Sequence, residues 1–527
     1  MPTPAGNTPN RARWSVAHVA SEMAPLAKVG GLADMVGALA MEQARNGHRV
    51  TVALPGYRGI AIPDSWHVTP QAITEVAWGL RREPVGFDLC EDPESGLRVL
   101  LVHHAGERKF FDRPGIYDDP RTNEGYPDNA ERFLFFCRAA LEGLGRLGER
   151  FDIVHAHDHQ SGWVPCFIRT HLQTELAFSS AATVFTIHNL GYQGITDAWV
   201  LALAGFGGEQ FTIGGPFEYW GRVNSLKVGL SFSDMLSTVS PRYAVEIQES
   251  GEFGFGLEGV LAMRSHDLRG ILNGIDDGYW NPATDRYLPH RYDATKLDTK
   301  ELNRASLAAE CGMPVERDKL LVGMVTRLVE QKGIDLIEQA AHVLLKLDAR
   351  FVVLGSGQPR YVEFFRQLAA QHPERVCFRP GYDEALAHRI EAGADLFLMP
   401  SRYEPCGLNQ MYSLRYGTPP LVRAVGGLAD SVQEFDPLTH QGTGFLFQSY
   451  SGHEMAGALR HAISIWKHPE LWRHVQLNGM RCDFSWRKSA ERYDLLYTEA
   501  RERVAGGRML TLPVVKAMLE VRSNGVA

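Results

Sequence analysis

Four short segments gather charge, histidine and glycine in ways that suit a ligand carrying both phosphate and hydroxyl groups. Lys28-Val29-Gly30-Gly31-Leu32 sets one cation beside paired glycines. Such glycines let the backbone approach a ligand closely, and the amides opening a following helix favour an anion. The segment is neither a G-x-G-x-x-G fingerprint nor a Walker loop, which argues against dinucleotide redox chemistry and ATP hydrolysis in their usual forms. Thr326-Arg327-Leu328-Val329-Glu330-Gln331-Lys332-Gly333 places two cations around a turn into a helix. An arginine there forks onto phosphate oxygens and a lysine adds a compact charge. No Asp-x-Asp triplet occurs, so the usual carboxylate pair for a nucleotide-sugar metal is missing. Lys28, Arg327 and Lys332 are therefore expected to meet a leaving diphosphate themselves, without a metal.

The other two segments point to hydroxyls. His155-Ala156-His157-Asp158 and, downstream, His188-Asn189-Leu190-Gly191-Tyr192 bring polar groups together. A strand puts His155 and His157 on one face, yet no third ligand or open coordination position is visible, so no metal site is expected. The set reads either as a sugar-hydroxyl site or as buried, hydrogen-bonded histidines. Met399-Pro400-Ser401-Arg402-Tyr403-Glu404-Pro405-Cys406-Gly407-Leu408-Asn409-Gln410 carries a carboxylate on a proline-stiffened loop ahead of a glycine and a helix. Glu404 can hold a ligand hydroxyl while the helix amides meet phosphate. Cys406 reads as packed, since nothing near it in sequence would lower its pKa. The pentapeptide GGLAD occurs twice, at residues 30–34 and 426–430, and each copy is expected to open a helix.

These segments need strand ends to carry them. Short apolar runs alternate with longer amphipathic stretches, the pattern of βαβ units and parallel sheets. Strands are expected at 15–20, 48–54, 98–102, 152–156, 183–187 and 235–239, then at 320–325, 350–354, 376–379, 396–399 and 420–422. In open α/β sheets ligands bind outside the carboxyl ends of the strands, which is where the functional segments fall. A hinge is placed at 270–277 (GILNGIDD). The reading is α/β with two Rossmann-like domains, at 13–269 and 270–484, followed by a segment at 485–527 whose helix crosses back to the first domain.

With 527 residues the chain exceeds what one core usually supports. A net charge of -8 with no basic block gives no nucleic-acid surface. Its seven cysteines are scattered and never in CxxC spacing, which suits a reducing compartment and no zinc. The polar first thirteen residues lack a signal-peptide core and no apolar run is long enough to span a bilayer, so a cytoplasmic protein without membrane partners is expected.

In order along residues 16–497, KVGGLADMVGALA, HAHD, TIHNLGYQG, ILNGID, TRLVEQKG, AHRIEAGADLFLMPSRYEPCGL and VGGLADSV resemble the bacterial glycogen synthases and related starch synthases. The resemblance implies a GT-B fold, with two domains facing each other across a deep cleft. It further implies ADP-glucose as donor, the nonreducing end of an α-1,4-glucan as acceptor, retention at the anomeric carbon, and neither metal nor cofactor. It carries Lys28, Gly30, Gly31, Arg327 and Lys332 to the diphosphate and Glu404 to the transferred glucose. Asp158, His188 and Asn273 would line the sugar site and Gly381-Tyr382 would lie near the nucleotide. Cys406 and the amides of Gly407 and Leu408 would complete donor binding. Two domains acting on one donor would stand apart without it and close around it, with a second crossing at 484–497.

The chain departs from the family pattern at His159 and Gln160, where relatives have Trp and His, and at Asn409, where they have Thr. Tyr412 stands where other retaining relatives place a second glutamate. The tail after residue 505 has no counterpart. A phosphorylase-like rival would need a pyridoxal-binding lysine, and none is identifiable; the other alternative is a catalytically silent glucan-binding protein on the same fold.

Overall fold

The computed structural model describes residues 13–122, 124–314 and 318–507. They form two compact units. One comprises the chain through Thr238, Ile247–Arg269 and the residues from Ala490 on; the other comprises Val239–Glu246 and Gly270–Ser489.

The first unit is built on a nine-stranded sheet. Its spatial order is Leu268–Gly270, Met235–Thr238, Ala182–Ile187, Ile153–His157, Ser15–Val19, Arg49–Pro55, Arg98–His104, Arg81–Glu91 and His67–Trp78. The run from Met235–Thr238 to Arg98–His104 is parallel, with Val16 opposite both Val50 and Ile153. Counting only those parallel strands in chain order, the arrangement is 3-2-1-4-5-6, the doubly wound order whose switch point lies between strands 1 and 4. Here those strands are Ser15–Val19 and Ile153–His157. Both are fully buried, the expected state of central parallel strands covered on two faces. The helix Asn129–Arg146 buries Phe133, Phe135, Phe136, Leu141 and Leu144, and each such side chain contributes roughly 1.5–3 kcal/mol by leaving water. Gly143 on that helix is a close-packing position, because a Cβ there would run into Phe87 and Leu100.

The sequence pattern missed the hairpin His67–Trp78/Arg81–Glu91, which pairs antiparallel onto Arg98–His104 and makes this sheet mixed. Its outer strand is exposed along most of its length and contains Pro70, as an edge strand tolerates, so it carries no apolar run to read.

The second unit holds a six-stranded, wholly parallel sheet in the order Val376–Pro380, Ala349–Gly357, Leu320–Leu328, Leu396–Met399, Pro420–Arg423, Phe445–Phe447. In chain order this too is 3-2-1-4-5-6, with the switch point between Leu320–Leu328 and Leu396–Met399. The five strands expected here are present, and Phe445–Phe447, three residues long, is additional. Val322, Met324, Val353 and Leu398 pack on Ile337, Leu344 and Phe365 from the helices Ile334–Leu344 and Pro359–Gln371 in one continuous core.

Candidate functional site

In the second unit the predicted residues collect at the switch point. Leu320–Leu328 carries Arg327 out of the sheet into solvent near its carboxyl end. The chain then makes a short 3-10 turn, Glu330–Lys332, and enters the helix Ile334–Leu344 through Gly333, whose φ of 71° is left-handed. Only glycine fits there, since a Cβ would also collide with the carbonyl of Pro400. That close approach joins the turn to the loop after strand Leu396–Met399, as do the bonds from Arg402 N to Gln331 O (2.8 Å) and from Arg402 to Glu330.

Lys332 and Glu404 consequently meet. Lys332 Nζ donates to Glu404 Oε2 at 2.6 Å, and Ser401 Oγ donates to the same oxygen at 2.9 Å. Glu404 is 5% exposed, so its charge is compensated by a neighbouring cation as a buried carboxylate requires. Both bonds fall on Oε2 and leave Oε1 for a ligand hydroxyl.

The same loop continues through Cys406, whose thiol burial pushes up to about 12. It is therefore protonated and packed, beside Met411, Ile275 and Val239. Gly407 (φ 70°) turns the chain into Leu408 and the helix Asn409–Arg415. Asn409 Nδ2 donates to Val325 O at 2.7 Å, tying the start of that helix to the strand that carries Arg327. Asn273 belongs to this unit and is buried with its Oδ1 unpartnered among the described residues. Gly381 and Tyr382 follow the edge strand Val376–Pro380. Gly381 has φ 101°, Tyr382 is 67% exposed with its hydroxyl on Glu384, and Asp383 caps the next helix through Leu386 N at 2.8 Å.

The second GGLAD copy opens the helix Gly426–Ser431 beneath the Glu404 loop. Its glycines approach protein rather than ligand: a Cβ on Gly426 would strike Glu404 O, and one on Gly427 would strike Cys406 O. Gly427 N donates to Glu404 O (3.1 Å), and Gly426 N is held by the carboxylate of Glu246 at 3.1 and 3.2 Å. The pair of glycines is thus the seat of the loop that presents Glu404.

In the first unit the first copy opens the helix Gly31–Arg45 with Gly30 as N-cap. Lys28 is exposed and bonded to Asp34 at 2.7 Å. Nothing would touch a Cβ on Gly30. The buried carboxylate of Glu22, which the sequence reading passed over, accepts from Val29 N (2.6 Å) and Gly30 N (2.9 Å) and takes the Tyr117 hydroxyl at 2.6 Å. Gly31, at the first helical position, has one of the four amides without an intrahelical acceptor.

Across the switch point, Ile153–His157 ends at Asp158, a non-glycine residue with φ 55°. Such a conformation costs on the order of 1–3 kcal/mol and persists where surroundings enforce it. Asp158 Oδ1 accepts from His188 N at 2.7 Å, and burial raises its carboxyl to about 7. His155 and His157 do share a face, with ring centroids 4.1 Å apart. The third imidazole that sequence spacing could not supply is His18, from the neighbouring strand: ligand atoms of His18, His155 and His157 all lie within 4.8 Å of one another. Their nitrogens are engaged otherwise, His18 with His157 and Gln43, and His155 with Tyr497 and Thr186. Burial holds His18 at about 4, His188 at about 3, and His155 and His157 well below the ordinary value, so all four are neutral at pH 7. Gln160 is buried and His159 half-buried, the latter packed against Gly194 with its Nδ1 unpartnered among the described residues.

No helix among the described residues is long and apolar enough to cross a membrane. All seven cysteines are free.

Residues 15–263 match the family model described as starch synthase catalytic domain, and residues 313–474 match glycosyl transferases group 1. A glycogen synthase of Koribacter versatilis is 44% identical, the match covering 92% of this chain and 98% of that one. One from Anaeromyxobacter sp. (strain Fw109-5) is 47% identical over 91% of this chain and 98% of its own. Among solved structures, the catalytic domain of starch synthase IV from Arabidopsis thaliana, bound to ADP and acarbose, superposes with a TM-score of 0.84 at 36% identity, covering 93% of this chain and 100% of that one. A sucrose-phosphate synthase from Thermosynechococcus elongatus shares the fold, with a TM-score of 0.57 at 19% identity over 92% of this chain and 99% of its own.

Proposed function

Since this chain belongs to the glycogen synthase family, we propose that it draws glucose from ADP-glucose and adds it, with retention at the anomeric carbon, to the nonreducing end of an α-1,4-glucan. The chain is a glycosyltransferase of GT-B fold that transfers glucosyl units to glucan. The nucleotide, the stereochemistry and the residue roles are our reading. ADP in the starch synthase IV structure supports the choice of nucleotide.

The observation that carries the residue roles is the Lys332–Glu404 contact at the second unit's switch point. A cation and a carboxylate held together there divide naturally over a sugar diphosphate. Lys332 and Arg327 take the phosphate oxygens, and Glu404 takes a glucose hydroxyl through its oxygens. The amides of Gly407 and Leu408 add donors, while Gly381 and Tyr382 lie by the nucleotide. Lys28 with the Gly30-Gly31 turn is assigned to the diphosphate, and Asp158, His188 and Asn273 are assigned to the sugar. As the diphosphate departs, the acceptor 4-hydroxyl approaches the same face of an oxocarbenium-like glucose and the leaving phosphate takes its proton. These fixed cations and dipoles, aimed at developing charge, provide the rate enhancement. A protonated, buried Cys406 supplies no nucleophile. A double displacement through Asp158 is disfavoured, because burial keeps that carboxyl partly protonated near neutral pH. The protein is proposed to work in the cytoplasm.

Purified protein given ADP-glucose and UDP-glucose in competition, with a maltooligosaccharide acceptor, tests the reading. Preferred consumption of ADP-glucose and an α-linked product by proton NMR are expected. Preference for UDP-glucose or a β-linked product would overturn it, and no incorporation of labelled glucose would favour a silent binding protein.

A further inference from the structure

A row of buried groups runs behind His188 and leads away from the proposed sugar site. His188 Nε2 lies 3.1 Å from His157 Nδ1, and His157 Nε2 lies 3.0 Å from His18 Nδ1. His18 Nε2 lies 2.8 Å from Gln43 Oε1, and Gln43 Nε2 donates to the Tyr497 hydroxyl at 3.2 Å. That hydroxyl also meets His155 Nδ1 at 2.8 Å, and His155 Nε2 meets Thr186 Oγ1 at 2.6 Å. His18, Gln43, His155, His157 and Tyr497 are wholly buried, and His188 is 9% exposed.

The chemistry of each atom orders the hydrogens along this row. With the Gln43 amide nitrogen on Tyr497, its carbonyl oxygen faces His18 and can only accept, so His18 carries its hydrogen on Nε2. A neutral imidazole has one hydrogen, which leaves His18 Nδ1 bare to accept from His157 Nε2. His157 Nδ1 is then bare in turn and accepts from His188 Nε2. His188 is left with its hydrogen committed inward. Among the described residues no partner engages its other nitrogen, Nδ1.

We propose that Tyr497, Gln43, His18 and His157 are positioning residues that hold His188 as the Nε2–H tautomer, so that its bare Nδ1 accepts a hydrogen bond from a sugar hydroxyl. The acceptor role rests on the reading that His188 lines the sugar site; the tautomer does not. Gln43 is the pivot. Reversing its amide would turn every hydrogen in the row around and make His188 Nδ1 a donor, so the polarity of a contact at the sugar is decided two rings away. An acceptor with no hydrogen of its own discriminates for a hydroxyl, because a substrate lacking that hydroxyl leaves a partly buried nitrogen unpaired.

The full-length enzyme labelled with 15N-histidine tests this, with His188 assigned from the resonance lost in His188→Asn. The expected result is one Nε2–H tautomer at His188 in the unliganded protein. Gln43→Met should convert it to a mixture and lower kcat/KM about tenfold. In the His188→Asn background the same substitution should change kcat/KM by less than about twofold, which a merely structural Gln43 would not do. Tyr497→Phe should shift the tautomer in the same direction. The proposal is overturned by an Nδ1–H tautomer at His188 in the native enzyme, a measurement that stands even if Gln43→Met fails to fold. It is overturned as well by a tautomer that ignores Gln43→Met, or by a stoichiometric metal on His18, His155 and His157. If His188→Asn retains native kcat/KM, the sugar contact and the acceptor role fail together, while the tautomer remains separately measured.

Discussion

At residues 30–34 the pentapeptide Gly-Gly-Leu-Ala-Asp opens a fifteen-residue helix at the surface, beside an exposed lysine, with empty space where a Gly30 side chain would go. At residues 426–430 the same five residues open a helix of six, and their glycines are pressed against the backbone of Glu404 and Cys406. Both openings hold a glutamate carboxylate on a glycine amide, Glu22 in one and Glu246 in the other. Anion affinity is therefore common to the two, as helix starts dictate. What differs is whether open space or another loop lies beside the glycines. Glycine is needed in the second copy for packing, while the first leaves the room that our reading gives to a ligand, and sequence identity between the copies does not separate the two.

The sharpest way to break this contrast is Gly427→Ala. A methyl at that position has only the Cys406 carbonyl to occupy, so the second unit should lose about 3 kcal/mol or more of stability, and activity with it. Thermal melts and hydrogen exchange would show it, and an unchanged melt would mean that the close approach is not needed.

Next in size come the cations that the second copy's loop organises. Lys332→Ala and Arg327→Ala should each lower turnover by on the order of a hundredfold, with the Arg327→Ala melt close to native and the Lys332→Ala melt lowered, because the buried Glu404 carboxylate loses its cation. EDTA should change little, and strong, magnesium-reversible inhibition would refute diphosphate binding by cations alone. Glu404→Gln keeps the shape while removing the charge that Lys332 and Ser401 face, so turnover should fall sharply at an unchanged melting temperature. Early unfolding would favour a structural role.

Acid should separate the two units. Burial depresses His18 and His159 to about 4 and His188 to about 3, from 6.5, with His155 and His157 also lowered. The folded first unit thus binds fewer protons than its unfolded chain. Its stability is complete above about pH 6.5 and declines as pH falls toward those values, by up to ~1.4 kcal/mol per pH unit for each histidine. Asp158, raised to about 7, runs the other way but is one group against five. Glu246 and Glu391 in the second unit are also raised by burial, which favours that unit in acid. Hydrogen exchange at pH 5 against pH 7.5 should therefore loosen the first unit before the second. The smallest effect is expected from Gly30→Ala, within about 0.5 kcal/mol of native stability, because the backbone there is extended and the space is open.

Much of this was legible because parallel strands write themselves as apolar runs and the chemistry sits where those runs end. Arg327, Lys332, Glu404 and Asp158 all follow such runs. The hairpin at His67–Trp78 and Arg81–Glu91 was not legible, since an exposed edge carries too few apolar residues to show a period. Glu22 stands close behind the first strand but gives no local sign that it will turn back onto Val29 and Gly30. His18 and Tyr497 were beyond reach for a different reason: the first meets His157 only through strand pairing, and the second meets Gln43 across most of the chain. The second GGLAD copy opens the helix expected of it, but a helix start in the sequence does not say what packs on it.

The helix Trp486–Ala505 belongs to the first unit from Ala490 on, and it brings Tyr497 to Gln43 and His155 and Arg503 to Asp267. Synthesis runs from the N-terminus, so the chain of the second unit is already made when these contacts become available. On a ribosome adding ~5–20 residues per second, the sheet begun at Ser15 waits on the order of ten seconds or more for its last buried partners. During that interval His155 and Gln43 face no tyrosine. The unit translated first is in this sense the one finished last, and the aggregation-prone interval of this protein's life falls on its N-terminal sheet.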